Sequence, residues 1–435
     1  MPEQKNCGAQ FAAALRKHLD GDLPSAELLY REIILAAPGD AQARHYLGYL
    51  LQQTDRLEEA REQLTRAIAL DDRHAEWHFN LGIVLLRQGH AASAVEAFSR
   101  AVAIDRSKYF YWTNLGAAFE AGKEWTRAEQ CYKAALDIDP DCPDAFYLLS
   151  ALYLKLERFT EARHFNYRGI AVAPAGSKPK IVLGQALYEL GRVDDAIALF
   201  ENWLKEEPGN PVATHLLAAY RRQQVPAQCS NPYIEQTFDA FATSFENVLG
   251  RLKYCGPQLV RDYLATLDPA PNILNALDLG CGTGMVGQAM QPYARELVGV
   301  DLSQAMLEQS AAKQIYRQLH KADITEFLQA SRDRFDLIAC MDTFVYLGRL
   351  DEVIALVYEK LNAGGLLLFS TEKLGGSGDT SYHLNISGRY SHHPDYVTAL
   401  LGRTGFRLQH MSDVPIRTES GCQIEGQFVC AVRAD

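Results

Sequence analysis

The sequence predicts an all-α solenoid of helical repeats followed by an α/β domain. Three observations lead to this prediction: a 34-residue period in the first half, alternating strand and helix patterns after Ile273, and a glycine-rich segment after the first of those strands. A chain of 435 residues also suits two domains, because single cores rarely grow beyond about 250–300 residues.

The period is visible in the first 225 residues as columns of similar residues. A column of alanines consists of Ala26, Ala60, Ala94, Ala128, Ala162 and Ala196. A second column of small residues consists of Ala14, Gly48, Gly82, Gly116, Ser150 and Gly184. A third column, mostly of large residues, consists of Tyr30, Leu64, Phe98, Tyr132, Asn166 and Phe200. Six units are predicted to begin near Cys7, Ala41, Ala75, Tyr109, Pro143 and Ser177.

Each unit has the pattern of two amphipathic helices whose backbones approach at the small residues. One unit cannot bury its apolar face alone, so the units are expected to stack. These columns resemble those of the tetratricopeptide repeat (TPR) family. Units one and five depart most from the pattern, through Ala14 and through Asn166 and Gly169, and Pro211–Arg222 is predicted to cap the last unit.

The TPR resemblance implies a protein or peptide partner in the concave groove formed by the first helices of the units. The residues expected to face this groove are His45, Tyr49, Phe79, Asn80, Thr113, Asn114, Tyr147 and Gln185. Asn80 and Asn114 occupy equivalent positions, where asparagines of some TPR proteins hold a peptide backbone. A solvated groove with two polar residues is the alternative interpretation.

Composition excludes several classes of partner and site. The net charge of −11 argues against a broad phosphate-binding face, so nucleic acid is not favoured. The nine cysteines are scattered without a CxxC pair, which predicts reduced thiols in a cytoplasmic protein and neither a disulfide framework nor a metal site. We also expect no membrane segment, because no apolar run approaches the roughly 18 residues required.

The repeat register ends in the polar segment Arg221–Pro232, which predicts domains at 1–225 and 231–435. Helices are predicted over Tyr233–Leu267, where Phe238, Phe241 and Phe245 fall three or four residues apart. The strands that follow imply a parallel sheet covered on both faces, with a closing antiparallel hairpin. They are predicted at Ile273–Leu279, Leu297–Val300, Phe335–Cys340, Gly365–Phe369, Phe406–Met411 and Gln427–Val432.

The segment Leu277–Gly284, LDLGCGTG, is predicted to be a strand, a glycine loop and the start of a helix near Met285. Ligands bind at the carboxyl ends of such strands. The spacing also fits a dinucleotide motif, but a lone match of that kind is weak. Asp278 before the glycines and the additional Gly280 favour an adenosyl sulfonium instead, while Asp301 after the next strand suits ribose hydroxyls in either ligand.

At these residues the second domain resembles class I methyltransferases, which are Rossmann-like and use S-adenosyl-L-methionine. The resemblance implies that Asp278, Gly280, Gly282 and Gly284 hold the methionine part of the cofactor and that Asp301 holds its ribose. It further implies contacts to the adenine from Leu302, Asp323 and Ile324, and places Cys340 beside the transferred methyl group. Tyr254 and Tyr346 are candidates to close over the cofactor, although packed aromatic residues are equally expected there.

More specifically, the sequence resembles a bacterial group of predicted TPR-containing methyltransferases. This group is named for its domains and not for a substrate. Its markers match Phe238–Ala242, Leu252–Pro257, Val345–Gly348 and Ser387–His392, with Ala240 in place of the usual acid.

Candidate general bases are His392, His383, Asp342 and Glu372, with His392 preferred because an ordinary imidazole titrates near neutrality. The alternative for His392 is a hydrogen-bonding role without proton transfer. Arg389 is expected to pair either with an acidic substrate or with a surface carboxylate.

The predicted function is methylation of a protein, or of a small molecule carried by one, recruited by the repeats. A small-molecule O- or N-methyltransferase and a scaffold with a vestigial cofactor fold are the alternatives.

Overall fold

The computed structural model describes residues 2–223, 225–267, 270–376, 380–419 and 422–434, with side chains from residue 8 onward. The chain forms two compact units, Met1–Lys178 and Pro179–Asp435. The sixth repeat therefore belongs to the same unit as the sheet. The predicted boundary between residues 225 and 231 marks the end of the repeat pattern, and as a domain boundary it stays a prediction.

The first unit consists of five helix pairs. Four of the six predicted unit starts coincide with the first residue of a helix, at Ala41, Ala75, Tyr109 and Pro143. The helices are α1 (Pro2–Leu19), α2 (Leu23–Ala36), α3 (Ala41–Gln53), α4 (Leu57–Leu70), α5 (Ala75–Arg87), α6 (Ala91–Ile104), α7 (Tyr109–Ala121), α8 (Trp125–Ile138), α9 (Pro143–Lys155) and α10 (Phe159–Val172).

The repeat columns meet inside each pair. A methyl group at Gly116 would lie 2.5 Å from the ring of Tyr132, so only glycine fits against that aromatic residue. In unit five the column residues are Ser150 and Asn166, and the hydroxyl of Ser150 donates to Ala162 O at 2.8 Å. Because the third-column residue here is a smaller asparagine, the second column has room for a serine side chain. The departures of unit five thus compensate one another.

The groove prediction is only partly supported by the positions of its residues. His45 and Asn80 are buried, and the amide nitrogen of Asn80 lies 2.9 Å from His45 Nε2. The amide of Asn114 donates to Phe110 O at 2.8 Å, and Thr113 is also buried. Asn80 is therefore used inside the array and is not free to hold a peptide backbone, because burial and the bond to His45 occupy its side chain.

The second unit begins with three helices and continues with further helices before and between its strands. The helices are α11 (Lys180–Glu189), α12 (Val193–Glu206), α13 (Pro211–Arg221), α14 (Asn231–Asp239), α15 (Phe245–Arg251), α16 (Gly256–Leu267), α17 (Met285–Met290), α18 (Gln304–Ala312), α19 (Ile324–Ala330), α20 (Asp351–Lys360) and α21 (Pro394–Thr404). Short 3-10 helices lie at Ala242–Ser244 and Phe344–Tyr346.

The strands form one mixed sheet. They are β1 (Leu274–Leu279), β2 (Ala294–Asp301), β3 (Gln318–Lys321), β4 (Phe335–Cys340), β5 (Leu361–Lys373), β6 (Tyr382–Leu384), β7 (Tyr390–His392), β8 (Phe406–Glu419) and β9 (Cys422–Arg433). Strands β3, β2, β1, β4 and β5 pair in that order and are parallel, while β9 pairs antiparallel with both β5 and β8. The predicted closing hairpin is confirmed. Strands β3, β6 and β7 were not predicted because they are only three or four residues long.

Apolar side chains cover both faces of this sheet, as predicted. Leu277 and Leu279 of β1 lie in one cluster with α19, α20 and α21, whereas Ala276 lies in another with α16 and α17. The chain order reverses at β1, which has β2 on one side and β4 on the other. A crevice is expected at such a reversal, beyond the carboxyl ends of the strands. None of the described helices has the length and apolar character that crossing a membrane requires.

The segment that follows α13 is bound to the sheet domain. Cys229 N donates to Tyr346 O at 2.8 Å, and Ala227 O accepts from Gly348 N at 2.9 Å. Within α13 the buried His215 lies with Nε2 at 2.9 Å from Gly388 O. The polar segment between the repeats and the strands is therefore paired backbone, and it forms part of the surroundings of Tyr346.

Candidate active site

The glycine loop joins β1 to α17 through three left-handed residues. Gly280, Gly282 and Gly284 have φ values of +70°, +53° and +85°. A methyl group at Gly280 would lie 2.2 Å from the hydroxyl of Thr343, so this position requires glycine for two reasons. The loop is held by Val300 O, which accepts from the backbone of Gly280 at 2.8 Å.

A cavity of about 220 Å³ lies beside this loop, at the carboxyl ends of β1, β2 and β4. Most of the predicted cofactor-binding residues are brought together in its wall. They are Tyr254, Gly280, Gly282, Asp301, Leu302, Asp323 and Ile324.

Asp301 ties the cavity wall to the loop. One carboxylate oxygen accepts from Gly282 N and the other from Ser303 N, both at 2.8 Å. Burial raises the pKa of Asp301 above its ordinary value, although these backbone donors favour the charged form. Since a carboxylate oxygen has two lone pairs, each oxygen can accept one further hydrogen bond.

Asp323 provides a second carboxylate across the same part of the cavity. It caps α19, and its Oδ1 accepts from Thr325 N at 2.8 Å and from Glu326 N at 3.2 Å. Among the described residues, no donor is bonded to its other oxygen, Oδ2. Leu302 and Ile324, which follow the two carboxylates in sequence, also line the cavity.

Three of the predicted cofactor residues lie behind the cavity wall. Asp278 is 1% exposed, and its carboxylate accepts from the hydroxyl of Tyr316 at 2.7 Å. Burial raises the pKa of Asp278 to about 7. Gly284 faces Ser310 and Tyr316, and Cys340 is fully buried within β4. These three residues do not line the cavity. Their contacts are with the interior of the domain, where they support the glycine loop and the sheet.

His392 is also separate from the cavity. Its ring is fully buried, and its Nε2 donates to Leu347 O at 2.8 Å and Gly348 O at 3.1 Å. Burial lowers the pKa of His392 to about 4. This environment favours the hydrogen-bonding alternative over proton transfer. Of the other candidate bases, Asp342 lines the cavity, whereas His383 and Glu372 do not.

An apolar wall closes the cavity on the side of α14 and α15. The rings of Phe238 and Phe245 are 6.1 Å apart, and the ring of Phe238 is 5.5 Å from that of Tyr346. Phe241 completes this group, 5.5 Å from Phe245. The sequence spacing predicted helices at the phenylalanines. In the structure Phe241 lies outside them, between α14 and the 3-10 helix at Ala242–Ser244, and the lining of a cavity was not predicted.

The remaining wall is formed by four residues of a network of five charged residues, which we call the ion network. Arg417 donates to Asp342 at 2.7 Å, to Glu419 at 2.6 Å and to Glu372, while Arg389 donates to Glu372 at 2.8 Å and to Glu419. Burial raises the pKa of Asp342, although both arginines oppose this effect. Sequence reasoning missed Arg417 and Glu419, which approach the cavity only through the pairing of β8 with β9.

The comparisons with known proteins match both parts of the chain. A family model described as a methyltransferase domain matches residues 277–367, which include the glycine loop. A model described as a tetratricopeptide repeat matches residues 47–108, 115–177 and 180–211. These matches confirm the predicted repeats and methyltransferase domain, and with that domain S-adenosyl-L-methionine as the cofactor.

Similar proteins include a ubiquinone biosynthesis O-methyltransferase of Coxiella burnetii, 28% identical over 22% of this chain and 43% of that protein. A malonyl-[acyl-carrier protein] O-methyltransferase of Legionella pneumophila is 33% identical over 32% of this chain and 50% of that protein. The chain thus spans about half the length or less of these curated relatives. Among solved structures, magnesium protoporphyrin IX methyltransferase from Synechocystis PCC 6803 is 15% identical, with a TM-score of 0.37, over 47% of this chain and 99% of that one. On the matches of the two family models, the chain contains a series of tetratricopeptide repeats and a methyltransferase domain.

Proposed function

We propose that the protein transfers a methyl group from S-adenosyl-L-methionine to an acceptor that is a protein or is carried by a protein, recruited by the repeats. The observation that carries this proposal is the position of Asp301, which holds the glycine loop and lines the cavity with two partly free oxygens. That arrangement suits the two hydroxyl groups of a ribose beside a backbone without side chains.

The residues of the cavity fit the predicted cofactor. Gly280 and Gly282 would hold its methionine part, Asp301 its ribose, and Asp323 with Ile324 its adenine. Tyr254 lies in the same wall, and burial raises its pKa well above the ordinary value, so its hydroxyl stays protonated as a donor. When bound, the cofactor supplies an electrophilic methyl carbon on a sulfonium.

The protein contributes to methyl transfer mainly by positioning and by excluding water. The aromatic residues Phe238, Phe241 and Phe245 make one side of the cavity apolar, which suits a site that shields the acceptor from solvent. Asp278, which was predicted to lie beside the cofactor, is proposed to support the glycine loop through Tyr316.

The recruited acceptor is favoured by two features. The repeats match a family that is built for contacts with other proteins, and one relative acts, by its name, on a molecule held by an acyl-carrier protein. The relatives named for ubiquinone biosynthesis favour the alternative, a small-molecule methyltransferase whose repeats serve partner contact. A cytoplasmic location is part of this proposal and rests on the scattered cysteines.

Calorimetric titration of the full chain with S-adenosyl-L-methionine tests the cofactor site. We expect Asp301→Ala to weaken binding by about 1–3 kcal/mol, because the ribose hydroxyls lose a charged acceptor. The control is Asp413→Ala, which removes an exposed carboxylate of β8 that pairs with Lys373. Equal affinities for wild type and Asp301→Ala would contradict the proposed place of the ribose.

The recruitment hypothesis requires a second measurement. The full chain and methyl-tritiated cofactor are incubated with a cell extract, and the label is separated into macromolecules and small metabolites. Label on macromolecules that is lost with Asp301→Ala supports a protein or protein-carried acceptor. Label confined to small metabolites would show that the repeats do not deliver the acceptor.

A further inference from the structure

Four residues of the ion network line the cavity: Asp342, Arg389, Arg417 and Glu419. The side chains of Arg417 and Glu372 are only 2% and 8% exposed, and Glu372 is not part of the lining. Asp342 and Glu419 are 21% and 29% exposed and both line the cavity. The surface that faces a ligand therefore carries two carboxylates together with the two guanidinium groups that are bonded to them.

The guanidinium groups are largely engaged by this network. Arg417 uses its Nε and both terminal nitrogens on three different carboxylates, and Arg389 bonds to two of them. Three carboxylates against two guanidinium groups leave one negative charge in excess. A carboxylate on the acceptor would add like charge here and compete for donors that are already bonded.

The carboxylates have free oxygens. Arg417 bonds to Oδ1 of Asp342, and both arginines bond to Oε1 of Glu419. Within the part of the chain that the structure describes, Asp342 Oδ2 and Glu419 Oε2 are bonded to no donor. An ionised carboxylate only accepts hydrogen bonds, so these oxygens require a ligand that donates.

We propose that the acceptor group is a basic nitrogen, an amine held by Asp342 and Glu419, and that Asp342 receives the proton this nitrogen releases. This inference rests on the proposed function. The amine comes either from a lysine side chain of a protein or from a small molecule, and the chemistry of recognition is the same. The phenylalanine wall opposite would accommodate the apolar part that carries the amine.

The transfer step balances with the groups named. The amine binds as an ammonium ion and first gives one proton to Asp342, from which the proton passes to water. The lone pair of the resulting neutral nitrogen forms the new bond to the methyl carbon, and the carbon–sulfur bond breaks with its electron pair remaining on sulfur. The methylated nitrogen is again positively charged and leaves as an ammonium ion. No oxidant, reductant or further reactant is required.

Binding to the full chain saturated with S-adenosylhomocysteine tests this inference by ligand-observed NMR. The small-molecule probes share one skeleton: phenethylamine, 2-phenylethanol and phenylacetate. A fourth probe, Nα-acetyl-lysine amide, represents a protein source. We expect at least one of the two amines to bind about tenfold more tightly than the alcohol and phenylacetate, because it forms charge-assisted hydrogen bonds. Which amine binds better distinguishes the two sources, and binding of phenylacetate in preference to both amines would overturn the inference.

Variants separate an acceptor site from a cofactor site. Asp342→Asn and Glu419→Gln keep an oxygen for the arginines, and each is expected to weaken amine binding about tenfold while changing the affinity for S-adenosyl-L-methionine by less than about threefold. The matched control is Asp413→Asn on the same strand as Glu419. Loss of cofactor affinity in both variants would show that these carboxylates serve the cofactor. If the affinities of both variants for the amine and for the cofactor equal those of the wild type, the carboxylates contact neither ligand.

Different results would contradict the proposed function and the proposed basic-nitrogen acceptor. A wild-type chain that binds neither S-adenosyl-L-methionine nor S-adenosylhomocysteine contradicts the proposed function itself. A chain that binds the cofactor but none of the amines contradicts only the basic-nitrogen acceptor.

Discussion

The helical repeats and the sheet domain hold their interiors together by different kinds of contact. In the repeats the glycine of one helix meets a large side chain of the next helix along the chain, as Gly116 meets Tyr132. In the sheet domain Arg417 joins Glu372 and Asp342, which are 45 and 75 residues away. The first kind of contact repeats with a fixed period, whereas the second depends on the pairing of distant strands. A sequence pattern therefore predicts the first kind and not the second.

The largest effect is expected from breaking the long-range contact. Arg417→Met would leave the buried Glu372 and the neighbouring Asp342 with fewer cationic partners, and removal of one partner of a buried ion network costs about 3–5 kcal/mol. Thermal unfolding of the full chain measures this loss. The matched control is Arg407→Met, an exposed residue of the same strand β8. A variant as stable as the control would show that the network does not stabilise the fold.

The local contact of the repeats is tested by an added methyl group. Gly116→Ala places a carbon 2.5 Å from the Tyr132 ring, and such overpacking is expected to cost about 1–3 kcal/mol. Gly39→Ala is the control, because no atom lies within 4 Å of its added methyl group. Thermal unfolding that is equal for the two variants would contradict the interpretation of the glycine column as a packing requirement.

Periodicity and short motifs predicted much of the fold. The starts of α3, α5, α7 and α9, the whole of β4 and the start of α17 at Met285 were predicted from local patterns. Strand β5 is longer than predicted at both ends. Leu361 at its start pairs with Phe335 of β4, and its polar end, residues 370–373, pairs with β9 and β7 beyond the apolar core. A buried polar strand end has no alternating pattern from which it could be recognised.

The candidate site was predictable only where one motif determines the geometry. The carboxyl ends of neighbouring parallel strands necessarily meet, so Gly282 and Asp301, which follow two such strands, lie within hydrogen-bonding distance of each other. The sequence did not indicate that Asp278 points away toward Tyr316 or that His392 is enclosed by two carbonyl groups. Both depend on which face of a strand meets which neighbour, and this is decided by packing across the whole unit.

A smaller effect is expected at the segment between the repeats and the strands. His215 in α13 bonds to Gly388 O, one residue before Arg389 of the ion network. His215→Ala would leave this buried carbonyl with only the weak thiol donor of Cys229, 3.6 Å away, at a cost of about 1–2 kcal/mol. Hydrogen exchange at Arg389, compared with an exposed control, His164→Ala, detects the loosening. Unchanged exchange would show that α13 lies against the sheet domain without stabilising that turn.

The smallest effect is expected in the fifth repeat, where the second column of small residues contains a serine. Ser150 stands where units two, three, four and six have glycine, and its hydroxyl donates to Ala162 O in the facing helix. Ser150→Ala keeps the side-chain carbon but removes this bond, which predicts a loss of about 0.5–1.5 kcal/mol in thermal unfolding. Ser150→Gly restores the repeat pattern and also removes the bond. Because Asn166 leaves no aromatic ring for a glycine to accommodate, we expect this variant to be no more stable than Ser150→Ala. A Ser150→Gly protein more stable than wild type would mean that the repeat pattern, and not the local pairing, governs stability in this unit.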